Sequence, residues 1–236
     1  MKQTDKYKVL AVLVRGFFEG FTSGILDGQR VGRSEKNDPK TVKKAMLDHY
    51  ESIAPEFHDL LFYPIATMNF DCETITARLE AVRGTKPTPE QLLQMACSDD
   101  AMHRAVVAEY RRNFGSLLEG RLPTEQEHLD NYTRGGGQQA QTDTKKAIHR
   151  VVKTAVRAYT RGLKRSGNGQ VMPDKVSVML LLINTMNLLM NDSPIETFAS
   201  QAQTLDEVML KACGSERNIG VMMEAMRAAY KEMAME

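Results

Sequence analysis

The residues best suited to binding are the cations of one segment near the middle of the chain. Between Thr144 and Gln170 stand eight Lys or Arg residues and no Asp or Glu, so the rest of the chain is net negative although the total charge is +1. Six of these cations follow spacings of three and four residues, which on a helix places them in one stripe about 80° wide. They are Lys146, Arg150, Lys153, Arg157, Arg161 and Lys164.

The opposite face of this segment is apolar, as in a helix that packs one side on a core. The six cations, named here the cationic ridge, extend over about 27 Å at 1.5 Å per residue. We predict a non-enzymatic interaction protein that holds a polyanion on this ridge, nucleic acid first, because phosphates attract cations without sequence readout. An acidic protein surface is the alternative, and a solvated face paired with local carboxylates is the simplest one.

The histidines offer a second kind of chemistry. His58 and Asp59 form a His-Asp dyad, and His49 precedes them by nine residues. Imidazole and carboxylate together hold divalent metals near an activated water, so these three side chains would suit a metal-dependent hydrolase. The chain lacks the longer spacing and the surrounding pattern of such enzymes, and their convergence in one pocket is what this alternative requires.

Two further pairs place a carboxylate and an imidazole on one helix face. They are Asp100 with His103, and Glu125 with His128. Glu-x-x-His pairs bind di-metal centres in four-helix bundles, where two more inward Glu residues complete the site. Both pairs lie in strongly polar first turns, which favours the protein surface. We therefore predict no catalytic residue, no metal site and no cofactor.

Glycines recur every four residues in the first helix, at Gly16, Gly20, Gly24 and Gly28, with Gly32 continuing the series. Each glycine inside a helix costs about 1 kcal/mol relative to Ala. Close approach of another helix is the usual compensation, as in small-xxx-small packing. Packing within the chain or self-association would both provide it, and we expect a homo-oligomer.

Helix signals recur along the whole chain, and strand alternation appears nowhere. Four Ser or Thr residues start capping boxes, in which the side chains of the cap and of the third following residue bond each other's backbone amides. They are Thr88, Thr124, Ser193 and Thr204. The sequence predicts an all-α bundle of about 10–12 helices.

Short matches in the same order favour two duplicated helical units related by a pseudo-twofold axis, 1–114 and 115–236. They pair the residues 17–20 with 117–120, 67–69 with 185–187, and Thr88 with Thr204. The alternative is one unsymmetrical helical domain.

The remaining composition bears on the compartment. The three cysteines are far apart and have no metal-ligand spacing, which favours reduced thiols in the cytoplasm. The apolar stretch from Val9 to Gly28 contains Arg15, Glu19 and Asp27. Each charge costs about 2.5–3.5 kcal/mol near the centre of a membrane helix, so no stable membrane insertion is expected.

Overall fold

The computed structural model describes residues 2–32, 39–52, 57–134, 140–167, 173–202 and 204–234. It is 78% helical, which confirms the predicted all-α, multi-helix class. The described residues form α1 (Lys6–Gly32), α2 (Pro39–Glu51), a π-helical turn (His58–Phe62), α3 (Tyr63–Ala66), α4 (Cys72–Ala81), α5 (Pro89–Ala96), α6 (Asp100–Leu118), α7 (Glu125–Arg134), α8 (Thr144–Ser166), α9 (Lys175–Met190), α10 (Ile195–Ala199), α11 (Leu205–Cys213) and α12 (Glu216–Met233).

Local capping explains where most of these helices begin. The predicted capping boxes at Thr88, Thr124 and Thr204 are present. The one predicted at Ser193 is wrong, since α10 follows Pro194 without a side-chain cap. The Ile195 amide donates instead to the buried Glu125 carboxylate, so a distant residue satisfies the first turn of α10.

Two short strands were not expected from the sequence. β1 (Gln3–Asp5) and β2 (Gln141–Asp143) have the same three residues and pair antiparallel. Three residues are too few for strand alternation to be visible, so the repeated Gln-Thr-Asp was the only signal. Each strand leads directly into a long helix and ends in an aspartate that caps it.

The helices that follow the strands, α1 and α8, pack against each other in the centre of the fold. Three glycines of α1 make this approach close. An added Cβ would lie 2.3 Å from the Ala155 carbonyl oxygen at Gly20 and 2.0 Å from that of Tyr159 at Gly24. At Gly28 it would lie 2.1 Å from Ser166 Oγ. The glycines thus lie against a helix of the same chain.

The remaining glycine of the predicted set is less crowded. A Cβ at Gly16 would have its nearest neighbour, the Ala155 Cβ, at 3.4 Å, which is ordinary contact. All four glycines of the set are buried. Their faces are occupied by α8, and self-association of the chain stays a prediction.

A local twofold relation connects the starts of α1 and α8. The Lys6 amide donates to the Ala140 carbonyl at 2.7 Å, and the Thr144 amide donates to the Lys2 carbonyl at 3.2 Å. These two bonds stand at equivalent places around the paired Gln-Thr-Asp strands. The two helices consequently begin in the same register.

The same register holds through the middle of the pair. A Cβ added at Gly24 would meet the Tyr159 carbonyl, and one added at Gly162 would meet the Phe21 carbonyl at 2.2 Å. Because each glycine faces the equivalent residue of the other helix, α1 and α8 correspond residue by residue from the two strands onward.

Contacts of the later helices recur in the same way. α1 packs on α6 as α8 packs on α12, and α5 contacts α6 as α11 contacts α12. Asn69 Nδ2 donates to the Ala96 carbonyl at the end of α5, and Asn191 Nδ2 donates to the Ala212 carbonyl near the end of α11. The fold therefore contains two sets of equivalent contacts around the α1–α8 pair.

The predicted duplication into units 1–114 and 115–236 stays a prediction. Residues 67–69 follow the short helix α3, whereas 185–187 are buried inside α9, so their surroundings add no support to that alignment.

The residues Lys6–Gln29 of α1 form a helix long and apolar enough to cross a membrane by length and composition. Its most apolar stretch is 89% buried within the fold, as expected for a core helix.

Candidate anion-binding cleft

The cationic ridge lies along one face of α8, but most of it is recessed. Lys146 and Lys164, at its two ends, are exposed. The four central members are half-buried: Arg150, Lys153, Arg157 and Arg161. The apolar face of α8 is buried in the core, as its pattern predicted. Neighbouring elements therefore flank the middle of the ridge.

One of these neighbours is the segment from the π-helical turn to the end of α3. Together with α8 it encloses a cavity of about 270 Å³. The α8 side contributes the ridge residues Arg150, Lys153 and Arg157, and the other side contributes Asp59, Tyr63 and Thr67 among its lining residues. We name this cavity the cationic cleft. Among the described lining residues, three cations stand beside one carboxylate, so these residues together carry a net positive charge.

Arg150 and Lys153 each contact a neighbouring segment of the fold. Arg150 Nη2 donates to the Thr67 carbonyl at 3.4 Å, and burial lowers the pKa of this guanidinium from its ordinary value. Lys153 Nζ lies 2.6 Å from Glu232 Oε1 of α12, and both side chains remain more than one third exposed. A partly exposed pair of this kind is weak, so an incoming anion can compete for Lys153.

The side chains considered for a metal-dependent hydrolase do not lie together. His58 Nδ1 lies 3.3 Å from Asp59 Oδ1, while His49 on α2 has its pKa lowered by burial and by nearby Arg165, near the far end of α8. Within the described ranges, no three His, Cys, Asp or Glu side chains are grouped so that they could hold a metal ion. The arrangement that a metal-dependent hydrolase requires is therefore not formed by these residues.

The surface location expected for Glu125 and His128 is wrong. Glu125 is 7% exposed and His128 is 0% exposed. His128 Nδ1 lies 3.0 Å from Oε1 of Glu109 in α6, and Glu125 accepts hydrogen bonds from Asn187 and from the Ile195 amide. A polar first turn resembles a surface turn in sequence, and only the distant partners reveal that it is buried.

The same polar cluster continues onto α1. Arg15 and Glu19 form a buried ion pair one helical turn apart, and Asn184 Nδ2 donates to both Glu19 carboxylate oxygens. The cluster therefore joins α1, α6, α7 and α9 through charged and amide side chains. Such groups are costly to bury unless they are paired, and here each carboxylate has a donor.

The carboxylates of this cluster differ in how their surroundings shift their pKa. Burial raises the pKa of Glu109, but His128, Arg15 and Asn113 outweigh it and leave the pKa below its ordinary value. For Glu125, burial dominates over its two hydrogen bonds, and the pKa is raised. The cluster is a structural feature of the interior, in contrast to the open cationic cleft.

Comparison with known proteins identified no relative. The chain matches no protein-family model, no curated protein and no solved structure.

Proposed function

We propose that this chain is a non-enzymatic interaction protein that binds an acidic surface of another protein in the cationic cleft. The observation that supports this most directly is the recessed group Arg150, Lys153 and Arg157. Guanidinium and ammonium groups in a partly desolvated cleft attract carboxylates more strongly than groups on an open surface do.

The recessed shape favours protein carboxylates over nucleic acid. A duplex binds through phosphates on a wide, rigid cylinder, and it needs cations that project outward along its length. Only Lys146 and Lys164 of the ridge are exposed, at opposite ends of α8. Single carboxylate side chains can enter a narrow cleft, whereas a duplex backbone would contact its rim.

A binding measurement with defined polyanions tests the proposal. The probes are a fluorescent 15-residue poly-glutamate and single- and double-stranded DNA of matched charge, followed by anisotropy at low salt. We expect saturable binding of poly-glutamate. A variant with Arg150→Gln, Lys153→Gln and Arg157→Gln should bind it about tenfold or more weakly, because three charge pairs of about 0.5–1 kcal/mol each are lost.

The matched control removes three exposed cations elsewhere, by Arg83→Gln, Lys86→Gln and Lys175→Gln. This variant has the same net charge as the first and should bind as the wild type does. Equal weakening in both variants would show that only net charge matters. Preferred binding of DNA, with a salt slope that flattens by about three units in the cleft variant, would replace the proposal with nucleic-acid binding.

A further inference from the structure

The two walls of the cationic cleft differ in chemistry. On one side stand the three cations of α8. On the other side, three of the five lining residues of the 58–67 segment are apolar or aromatic, namely Leu60, Tyr63 and Pro64. We name these three residues the apolar wall. The cleft is therefore two-sided, with cations along one wall and apolar surface along the other.

Tyr63 is the most exposed member of the apolar wall. It is 41% exposed, whereas Leu60 is 2% exposed and Pro64 is half-buried. The Tyr63 ring packs edge-on against the rings of His58 and Phe62, with centroid distances of 5.0 and 5.9 Å. Neighbouring rings thus support Tyr63 from within the fold, and part of its surface remains for a ligand in the cleft.

The position of Tyr63 indicates more than its exposure does. Single exposed apolar side chains are common on protein surfaces and have no meaning by themselves. Among the described residues, the other large exposed ones do not line this cleft. They are Leu118, Val176, Leu180, Leu205 and Leu210. Tyr63 differs from them because cations line the same cavity.

The cations on the opposite wall contact the fold and still suit an anion. Arg150 donates to the Thr67 carbonyl, and Lys153 pairs with Glu232. Arg157 also has an interaction of its own. A guanidinium has five N–H donors and an ammonium has three, so contacts of this kind leave capacity for a carboxylate.

The size of the cleft limits what can enter it. Its volume of about 270 Å³ lies just below the range of about 300–1,000 Å³ that is usual for pockets of drug-sized ligands. A few side chains of a peptide fill such a space while the peptide backbone lies across the rim. Such side chains match both walls when carboxylates reach the cations and an apolar group covers Tyr63.

We propose that the cleft binds an acidic segment with an apolar residue between its carboxylates, the apolar side chain against Tyr63 and the carboxylates against the cations of α8. This inference rests on the proposed function and specifies the partner segment. Tyrosine is enriched among the residues that dominate binding energy, because its ring is large and rigid and loses little entropy on contact. Tyr63 is thus the specificity-determining residue, whereas the cations attract any acidic surface.

Two peptides of equal charge test the proposal on the unaltered chain. Each is a fluorescent 15-residue peptide with the same number of Glu residues. The first has two Leu between its central Glu residues, and the second has Ser in both places. By anisotropy at low salt, we expect the Leu peptide to bind about tenfold more tightly than the Ser peptide, because only Leu removes apolar surface from water.

Substitution of Tyr63 tests the same contact from the side of the cleft. Tyr63→Ala should abolish the preference, so that the Leu peptide binds as weakly as the Ser peptide does. Tyr63→Phe keeps the ring and should retain the preference. The matched control is Leu210→Ala, because Leu210 is 43% exposed and does not line the cleft. This control should bind both peptides as the wild type does.

A cross-link locates the apolar contact without any substitution in the chain. A photoreactive diazirine analogue replaces both Leu residues of the peptide, and mass spectrometry after illumination identifies the residues that become attached. We expect attachment within the 58–67 segment. If Tyr63→Ala does not fold, this measurement decides the question.

The outcomes separate the inference from the proposed function. Equal binding of the Leu and Ser peptides, lost in the variant Arg150→Gln, Lys153→Gln, Arg157→Gln, would overturn the role of Tyr63 and leave the acidic partner in place. A Leu preference that Tyr63→Ala leaves unchanged, or cross-links confined to exposed apolar residues outside the cleft, would also overturn the inference alone. Binding of neither peptide would overturn both.

Discussion

The two central helices occupy equivalent positions and have opposite surroundings. Residues 8–22 of α1 are all buried, and the ion pair Arg15–Glu19 among them lies in a polar cluster. α8 buries only its apolar face, and at the equivalent positions it carries the half-exposed cations Lys153 and Arg157. One backbone arrangement thus supports an internal polar cluster on one side and an open charged cleft on the other.

This difference shows what kind of role each charged group has. Charges sealed from water and satisfied by fixed partners hold neighbouring helices in position and cannot reach a ligand. A partly exposed pair such as Lys153–Glu232 adds little to stability, so its cation can exchange that partner for a ligand. Four experiments test this distinction, and the first of them probes the packing of α1 against α8, on which both faces depend.

The largest effect is expected at the contact between the two helices. Gly24→Ala would place a Cβ 2.0 Å from the Tyr159 carbonyl oxygen, so α1 and α8 must separate. We expect a loss of about 3 kcal/mol or more in unfolding free energy, measured by urea denaturation. Gly16→Ala is the matched control, because its Cβ would have ordinary contact at 3.4 Å. It should stabilise the protein by about 0.5–1 kcal/mol, because Ala loses less backbone entropy than Gly on folding into a helix. Equal losses at both glycines would contradict the register.

The second-largest effect is expected in the buried polar cluster on α1. Arg15→Gln leaves the buried carboxylate of Glu19 without its ion-pair partner. Removal of one member of a buried pair typically costs about 3–5 kcal/mol. Chemical denaturation should show a loss of this size. A loss in unfolding free energy below about 1 kcal/mol would mean that water reaches the cluster. The charges of α1 would then be no more buried than those of α8.

The pH dependence of stability should separate Glu109 from Glu125. The pKa of Glu109 is lowered in the fold, so it contributes stability above its unfolded pKa of about 4.3, and this is lost as pH falls through the folded pKa. The pKa of Glu125 is raised, so its contribution is present below about pH 4.3 and is lost as pH rises through the folded pKa.

Denaturation curves recorded between pH 3 and 7 check these signs. Stability should rise less steeply with pH in Glu109→Gln than in the wild type, and more steeply in Glu125→Gln. Parallel profiles for the two variants would show that the carboxylates share one environment.

The smallest effect on stability is expected in the cationic cleft of α8. Lys153→Gln changes the residue equivalent to Arg15, but its pair with Glu232 is more than one third exposed. The unfolding free energy should change by less than about 1 kcal/mol. A cost near that of Arg15→Gln would show that the cleft cations are structural, and binding at the cleft would lose its basis.

The sequence was most informative where local chemistry decides the structure. The boxes at Thr88, Thr124 and Thr204 located helix starts because a cap and its partner are three residues apart. The glycine spacing indicated a close helix contact because residues four apart lie near each other on one face of a helix. The capping box predicted at Ser193 is absent because Glu125, which is remote in sequence, accepts the hydrogen bond from the first turn of α10.

The site was less predictable than the helices. Periodicity identified the cationic face of α8 but not the 58–67 segment that recesses it, since packing partners depend on contacts between distant residues. The burial of Glu125 and His128 had no local signal for the same reason. The Gln-Thr-Asp triplet occurs twice in the sequence, and its two copies pair and set the register between α1 and α8.

Calorimetric titration with the 15-residue poly-glutamate most directly tests the central claim that the cationic cleft binds an acidic surface. The wild type and the control variant Arg83→Gln, Lys86→Gln, Lys175→Gln are predicted to bind it with the same affinity and a stoichiometry of one. The cleft variant Arg150→Gln, Lys153→Gln, Arg157→Gln, folded by circular dichroism, should bind about tenfold or more weakly. Undiminished binding by the cleft variant, or an equal loss in the control, would contradict the account.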